Sequence, residues 1–260
     1  MDTTFTTGLT IGDTAESFTS DTDQIDPQLA MIMPILTDVA NDYEHAKHLL
    51  SLELISTECN KELLRTIPHE DLLDMSIAYR IRLSEKHSEL RSVLITNDML
   101  DHWGITAEQL KQDAMDLAPE NYPYTITGMC EVLAGSMDTT PEEMLAGEDE
   151  IMFVASNESR CRGAGVIAYP GFLDKASELL GGDFFILPSS IHEVILVKDN
   201  GQFTSKELSE MVADVNSSIV KPEERLTDSA YRYDSNDHIF ELASEHEARM
   251  DKKGAETFAV

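Results

Sequence analysis

Apolar and polar positions alternate most sharply over residues 75–84. Met75, Ile77, Tyr79, Ile81 and Leu83 fall on one set, and Ser76, Ala78, Arg80, Arg82 and Ser84 on the other. A period of two sends successive side chains to opposite faces of a strand, so this stretch predicts a strand with one buried face. The loop 85–89 returns the chain into residues 90–96 as a hairpin partner. The most apolar run of the chain is Gly181 to Val197. It predicts two short buried strands, 183–187 and 193–197, around the polar corner Pro188-Ser189-Ser190-Ile191-His192.

Helical spacing accounts for most of the rest. Asp26-Pro27 predicts an N-cap followed by proline at the first helical position. Leu29, Ile32, Met33, Leu36 and Val39 then share a face, with Pro34 expected to kink or split the element. Residues 43–55 and 59–66 read as helical, and Pro68 opens a short helix to Leu73. Asp98 to Trp103 predicts a helix stopped by Gly104. Thr106-Ala-Glu-Gln109 and Thr204-Ser-Lys-Glu207 are capping-box patterns. The helix after Thr204 carries Leu208, Met211, Val212 and Val215 on one face, expected inward. In the second half, residues 151–155 and 165–169 predict a hairpin turning at 157–162. A helix over 170–180 follows, closed by Gly181-Gly182. Residues 229–233 add an edge strand, and 237–250 a helix.

The expected fold is α+β: two hairpin-plus-helix units forming one mixed, mainly antiparallel sheet, with helices packed against it. The expected layout is a disordered Thr/Ser-rich acidic leader over 1–25, a helical segment over 26–74, the core domain over 75–234 and a charged extension over 235–260.

Charge narrows the function classes. Nineteen Lys and Arg against 49 Asp and Glu give a net charge of −30. Phosphate binding rests on basic side chains, so direct binding to nucleic acid or to an anionic membrane surface is not expected. No apolar run approaches the ~20 residues of a membrane helix. Cys59, Cys130 and Cys161 are few and scattered, which suits a reducing cytoplasm and indicates neither a disulfide framework nor a structural zinc site.

Four separated stretches carry a resemblance. They are Ser92-Val-Leu-Ile-Thr-Asn-Asp-Met-Leu-Asp-His-Trp-Gly-Ile-Thr106, Ala168-Tyr-Pro-Gly-Phe-Leu173, Gly182 to Leu196, and Tyr231-Arg-Tyr-Asp234. In this order they resemble an uncharacterised domain-of-unknown-function family of anaerobic gut Firmicutes and their phages and mobile elements. The resemblance covers residues 60–234. It implies a bacterial cytoplasmic protein and carries no established activity.

The candidate chemistry is sparse. Ser189, Ser190, His192 and Glu193 bring a nucleophile, a base and a carboxylate into one corner. On an extended backbone Ser190 and His192 share a face roughly 6.6 Å apart. A hydrolase needs base and nucleophile in hydrogen-bond reach, with a third group orienting the base. The competing reading has the serines satisfying backbone groups and His192 pinning the corner to a neighbouring loop. His45 and His48, three apart on a helix, are candidate metal ligands lacking a third partner. Arg80, Arg82, Arg160 and Arg162 are candidates for an anion site, weighed against pairing with the surplus carboxylates. No cofactor or bound metal is expected. The leading expectation is a non-enzymatic binding or regulatory protein acting on a protein partner, one of basic character where charge decides. Its alternatives are an acidic mimic of nucleic acid that blocks a basic nuclease, and a Ser/His hydrolase centred on 189–193.

Overall fold

The computed structural model describes residues 27–86, 89–135, 137, 139–188 and 190–257. The expected disordered leader, 1–25, lies outside the described residues. Two compact units are present. The first holds the described residues up to Glu53, with Asn60–Glu70 and Ile77–Tyr122. The second holds Leu54–Cys59, Asp71–Ser76 and the described residues from Pro123 onward.

The fold is α+β, with two antiparallel sheets where one sheet was expected. The first sheet has four strands: β1 (Leu50–Ser56), β2 (His69–Leu72), β3 (Met75–Lys86) and β4 (Glu89–Leu94). β3 is its hub, flanked by β1 and β2 and paired with β4 through Ile81↔Val93 and Arg82↔Ser92. The expected hairpin is therefore present. Burial differs from the one-faced pattern, because Ser76, Ala78 and Arg82 are buried as well as Met75, Ile77, Tyr79 and Ile81.

Two helices expected in this region are strands. Residues 50–56, expected to continue a helix to Ile55, form β1, in which every residue is buried. Leu50, Leu52 and Leu54 satisfy a period of two as well as a helical one, and burial on both faces decides for the strand. Residues 69–72, expected in a short helix after Pro68, form β2 instead.

In the first unit, α1 (Pro27–Asn41) runs through Pro34 without splitting. α2 (Tyr43–Ala46) is capped by Asp42, whose side chain accepts the Glu44 N–H. α3 (Lys61–Leu64) is a single turn. α4 (Asn97–Trp103) ends at Gly104, which takes the left-handed conformation (φ 69°) that a helix stop favours. α5 (Ala107–Asn121) buries Leu110, Ala114 and Ala118. The Trp103 indole donates to the Val39 and Ala40 carbonyls, and its ring lies 5.4 Å from that of Tyr43. The end of α1 is thereby tied to α4.

The second unit is organised on a six-stranded sheet. Its strands are β5 (Tyr124–Gly128), β6 (Met152–Asn157), β7 (Phe184–Leu187), β8 (Val194–Lys198), β9 (Tyr231–Asp234) and β10 (Ile239–Leu242), in the order β10-β9-β7-β8-β6-β5. The apolar run 181–197 thus supplies the central pair, joined by Ile186↔Leu196 and Leu187↔Ile195. α6 (Met129–Ala134), α7 (Pro141–Leu145), α8 (Phe172–Leu180), α9 (Ser205–Ser218) and α10 (Ala243–Thr257) complete the unit. Phe185, Leu187 and Val197 pack with Leu208 and Val212 of α9, Ala230 and Ala243 in one core cluster.

Three further elements differ from expectation. No second hairpin follows β6: residues 163–168 form a 3-10 turn, buried from Gly163 to Ile167. Its first two N–H groups bond to the carbonyls of His192 and Ile191 instead of to a strand partner. β9 is not an edge strand, because β10 pairs on its outer side through Phe240↔Tyr233 and Leu242↔Tyr231. The helix expected over 237–250 begins only at Ala243. Among the described residues no helix is long and apolar enough to cross a membrane.

Candidate functional site

The polar corner between β7 and β8 is bound to neighbouring segments through Ile191 and His192. Ser189 lies outside the described residues. The Ile191 N–H donates to the Glu224 carbonyl at 2.9 Å. The His192 carbonyl accepts from the Gly163 N–H at 2.9 Å and from the Ser156 hydroxyl at 2.7 Å. The His192 ring accepts the Arg162 N–H at Nδ1, 3.2 Å away. The proton of the neutral ring therefore sits on Nε2, which faces the Glu224 carboxylate at 3.6 Å. Ser190 Oγ accepts the backbone N–H of His192, an ST-turn bond across two residues.

These bonds hold the corner, and none of them joins the Ser190 hydroxyl to the imidazole. The carboxylate facing the ring is Glu224, not Glu193, which is half-buried at the head of β8. Glu224 sits about 30 residues downstream, in a 3-10 turn, where sequence adjacency gave no sign of it.

Gly163 explains why the turn beside this corner lies so close. A Cβ there would stand 2.1 Å from Ser156 Oγ, 2.6 Å from the Asn157 nitrogen and 2.8 Å from the His192 carbonyl oxygen. Two of these neighbours are backbone atoms that cannot swing aside. Gly163→Ala is expected to destabilise the protein by about 3 kcal/mol, read as a fall in the denaturant midpoint. A midpoint unchanged from the native protein would show that the corner gives way easily.

The four candidate arginines divide between the units. In the first, Arg80 donates to the buried Glu53 carboxylate at 2.9 Å and to the Ser92 hydroxyl at 2.9 Å. Arg82 is buried, with its guanidinium 4.3 Å from the centre of the Tyr122 ring, a cation–π contact. In the second, Arg160 and Arg162 occupy the turn after β6 in left-handed conformations (φ 51° and 50°) that non-glycine residues seldom adopt. Asn157 holds that turn: its Oδ1 accepts from Ser159 Oγ and the Cys161 N–H, and its Nδ2 donates to the Cys161 carbonyl.

His45 and His48 line a shallow groove of about 590 Å³ with Pro34, Ile35, Asp38, Val39 and Leu49. His45 Nδ1 lies 3.0 Å from Asp38 Oδ2. Among the described residues, no group of three or more His, Cys, Asp or Glu is arranged to hold a metal ion.

A charged cluster that single-residue reasoning missed lies at the β9–β10 side of the second sheet. Arg232 is 7% exposed. It donates to Asp199 at 2.9 Å and to Asp183 at 2.5 Å, and lies 3.7 Å from Asp234. Arg249 of α10 donates to Glu241 at 2.6 Å, and His246 Nδ1 lies 2.9 Å from the same carboxylate oxygen. Burial pushes the Asp183 carboxyl up. The Ser235 hydroxyl and N–H together with Arg232 outweigh it, leaving Asp183 below the usual carboxylate range. Asp234 is likewise held low, chiefly by the Asp237 N–H.

Asp74 is a second hub. Its carboxylate accepts from Thr227 Oγ1, Ser229 Oγ and the buried Tyr231 hydroxyl. Asp174 accepts from the Tyr233 hydroxyl and faces His238 Nδ1 at 2.7 Å. Burial, and then the Asp174 carboxylate, push the Tyr233 hydroxyl up to about 12.

The outward face of α9 departs most from expectation. Met211 and Val215, expected inward with Leu208 and Val212, are turned out. The buried face instead follows Ser205, Leu208, Val212 and Asn216. Met211, Val215 and Ile219 continue at i, i+4 and i+8 with 40%, 36% and 77% of their surface exposed. Beside them lie exposed Glu207, Glu210 and Asp214. Asn216 fills the inward position where a fourth apolar residue would stand, donating to the Thr227 carbonyl and to Asp228.

Fold and site together define the class: an α+β protein with two antiparallel sheets, whose polar corner is bound into its own scaffold. The chain belongs to the Family of unknown function (DUF5688), whose model matches residues 8–235. The match is longer than the resemblance over 60–234 and begins inside the Thr/Ser-rich leader. No curated protein and no solved structure matches the chain.

Proposed function

We propose that the protein is a non-enzymatic binding protein that acts through protein–protein contact on the outward face of α9. The observation that carries this reading is the exposed stripe Met211, Val215, Ile219. A capped helix seated on the core by one face has a second apolar face left in water. Isolated exposed apolar residues are ordinary, whereas a stripe at helical spacing on a well-seated helix is the pattern of a recognition surface. The acidic composition supports the same reading, since a net charge of −30 favours basic protein partners and disfavours nucleic acid.

The test is a photo-crosslinking side chain placed at Val215 in the native host. A control is placed at Lys206, whose side chain is 83% exposed on the same helix. A discrete cross-linked protein is expected from position 215 and not from 206. Equal labelling from both positions, or none from 215, would overturn the reading.

A further inference from the structure

We infer that the occupant of the α9 face is a basic amphipathic helix of a partner protein; this inference rests on the binding reading above. From Met211 to Ile219 the stripe rises roughly 12 Å, about two helical turns. That length suits a partner helix presenting apolar anchors at i, i+3 or i+4, and i+7.

Charge selects the partner's sign. Glu207, Glu210 and Asp214 are exposed along the solvent side of the stripe, while Lys206, the one basic residue of α9, lies 3.5 Å from Glu210. A helix carrying Lys or Arg beside its apolar anchors would set cations against these three carboxylates. An acidic helix would meet like charge, at a cost in both affinity and association rate. The same argument disfavours a second copy of this chain: a two-fold pairing of α9 on α9 would bring two sets of Glu207, Glu210 and Asp214 together on one interface. The stripe supplies the desolvated centre and the carboxylates the rim, the usual division of work in an interface.

The experiment titrates the purified full chain with two synthetic helical peptides of roughly 18 residues, long enough to hold a helix. Both carry a Leu stripe; one has Lys beside the stripe and the other Glu. The Lys peptide is expected to bind at least tenfold more tightly than the Glu peptide. Met211→Asp with Val215→Asp is expected to weaken it by about tenfold or more. Glu210→Lys with Asp214→Lys is expected to reverse the preference between the peptides. Circular dichroism on each variant establishes that it is folded.

Equal binding of the two peptides would overturn the inference. So would Lys-peptide binding that ignores the Met211 and Val215 substitutions, since that is general attraction to an acidic protein. Dimerisation of the native chain that is abolished by Val215→Asp would assign the face to a second copy and also overturn it. The two readings fail separately. A cross-link at Val215 with no preference for the Lys peptide retains the binding face and removes the basic helix. No cross-link at Val215 removes the face itself.

Discussion

Replacing Arg232 with alanine is expected to destabilise the protein by about 3–5 kcal/mol near neutral pH, because it leaves several carboxylates facing one another without their buried cation. Asp183, Asp199 and Asp234 all lie within 4 Å of its guanidinium, and their side chains are only 23%, 20% and 14% exposed. Arg232 reaches all three carboxylates; Arg249 lies 3.8 Å from Asp234, and the Ser235 N–H and hydroxyl donate to Asp183.

The loss should also depend on pH. Asp183 and Asp234 have folded values below their unfolded ones. Groups of that kind contribute stability above their unfolded value, about 3.9, and lose it as pH falls through the lower folded value. In Arg232→Ala one cause of the Asp183 shift is gone, so acid removes less from the variant than from the native protein. The gap in denaturant midpoint should therefore narrow below about pH 4. A gap of constant size from pH 7 to pH 3 would mean that Arg232 acts by packing and not by charge.

Glu53→Ala is the second large effect, also about 3–5 kcal/mol. Glu53 is 2% exposed in the middle of β1, and its partner Arg80 is 12% exposed. Removing the carboxylate takes the 2.9 Å ion pair away from a half-buried guanidinium, which retains its bonds to Ser92. Removing both charges should behave differently. A Glu53→Leu, Arg80→Met double variant removes both charges of the pair and is expected to recover most of the loss in a chemical denaturation series. A double variant as unstable as the single one would contradict a charge-pair account of this strand.

Glu53 also shows where sequence reasoning met its limit. Leu50-Ser-Leu-Glu-Leu-Ile55 fits a helix by its i, i+4 leucines and a strand by its alternation. A glutamate in the middle argues for a solvated helix face. Arg80, 27 residues away on β3, pairs with that carboxylate inside the sheet, and no local pattern reports it. Where signals are local, the elements were legible. The 75–84 alternation gave the β3–β4 hairpin, the apolar run at 181–197 gave the β7–β8 pair, and Thr204 and Glu207 form the capping box that starts α9.

The site was legible in the same uneven way. The corner could be found from its residue types, and His192 does meet a neighbouring loop through the Arg162 N–H. Its carboxylate neighbour Glu224 could not be found, nor could the Arg232 cluster, whose members come from five separate stretches of chain. The α9 face illustrates a third kind of gap. Sequence identifies Met211 and Val215 as apolar, but the width of helix that a core covers is set by the sheet beneath it.

The most direct test of the account is the cross-linking yield from Val215, compared between the native chain and two variants, Ser190→Ala and Met211→Asp. The account predicts that Ser190→Ala leaves the yield unchanged, because that hydroxyl serves its own turn. It predicts that Met211→Asp abolishes the yield. A yield lost with Ser190→Ala in a folded protein, and kept with Met211→Asp, would return function to the polar corner and contradict the account.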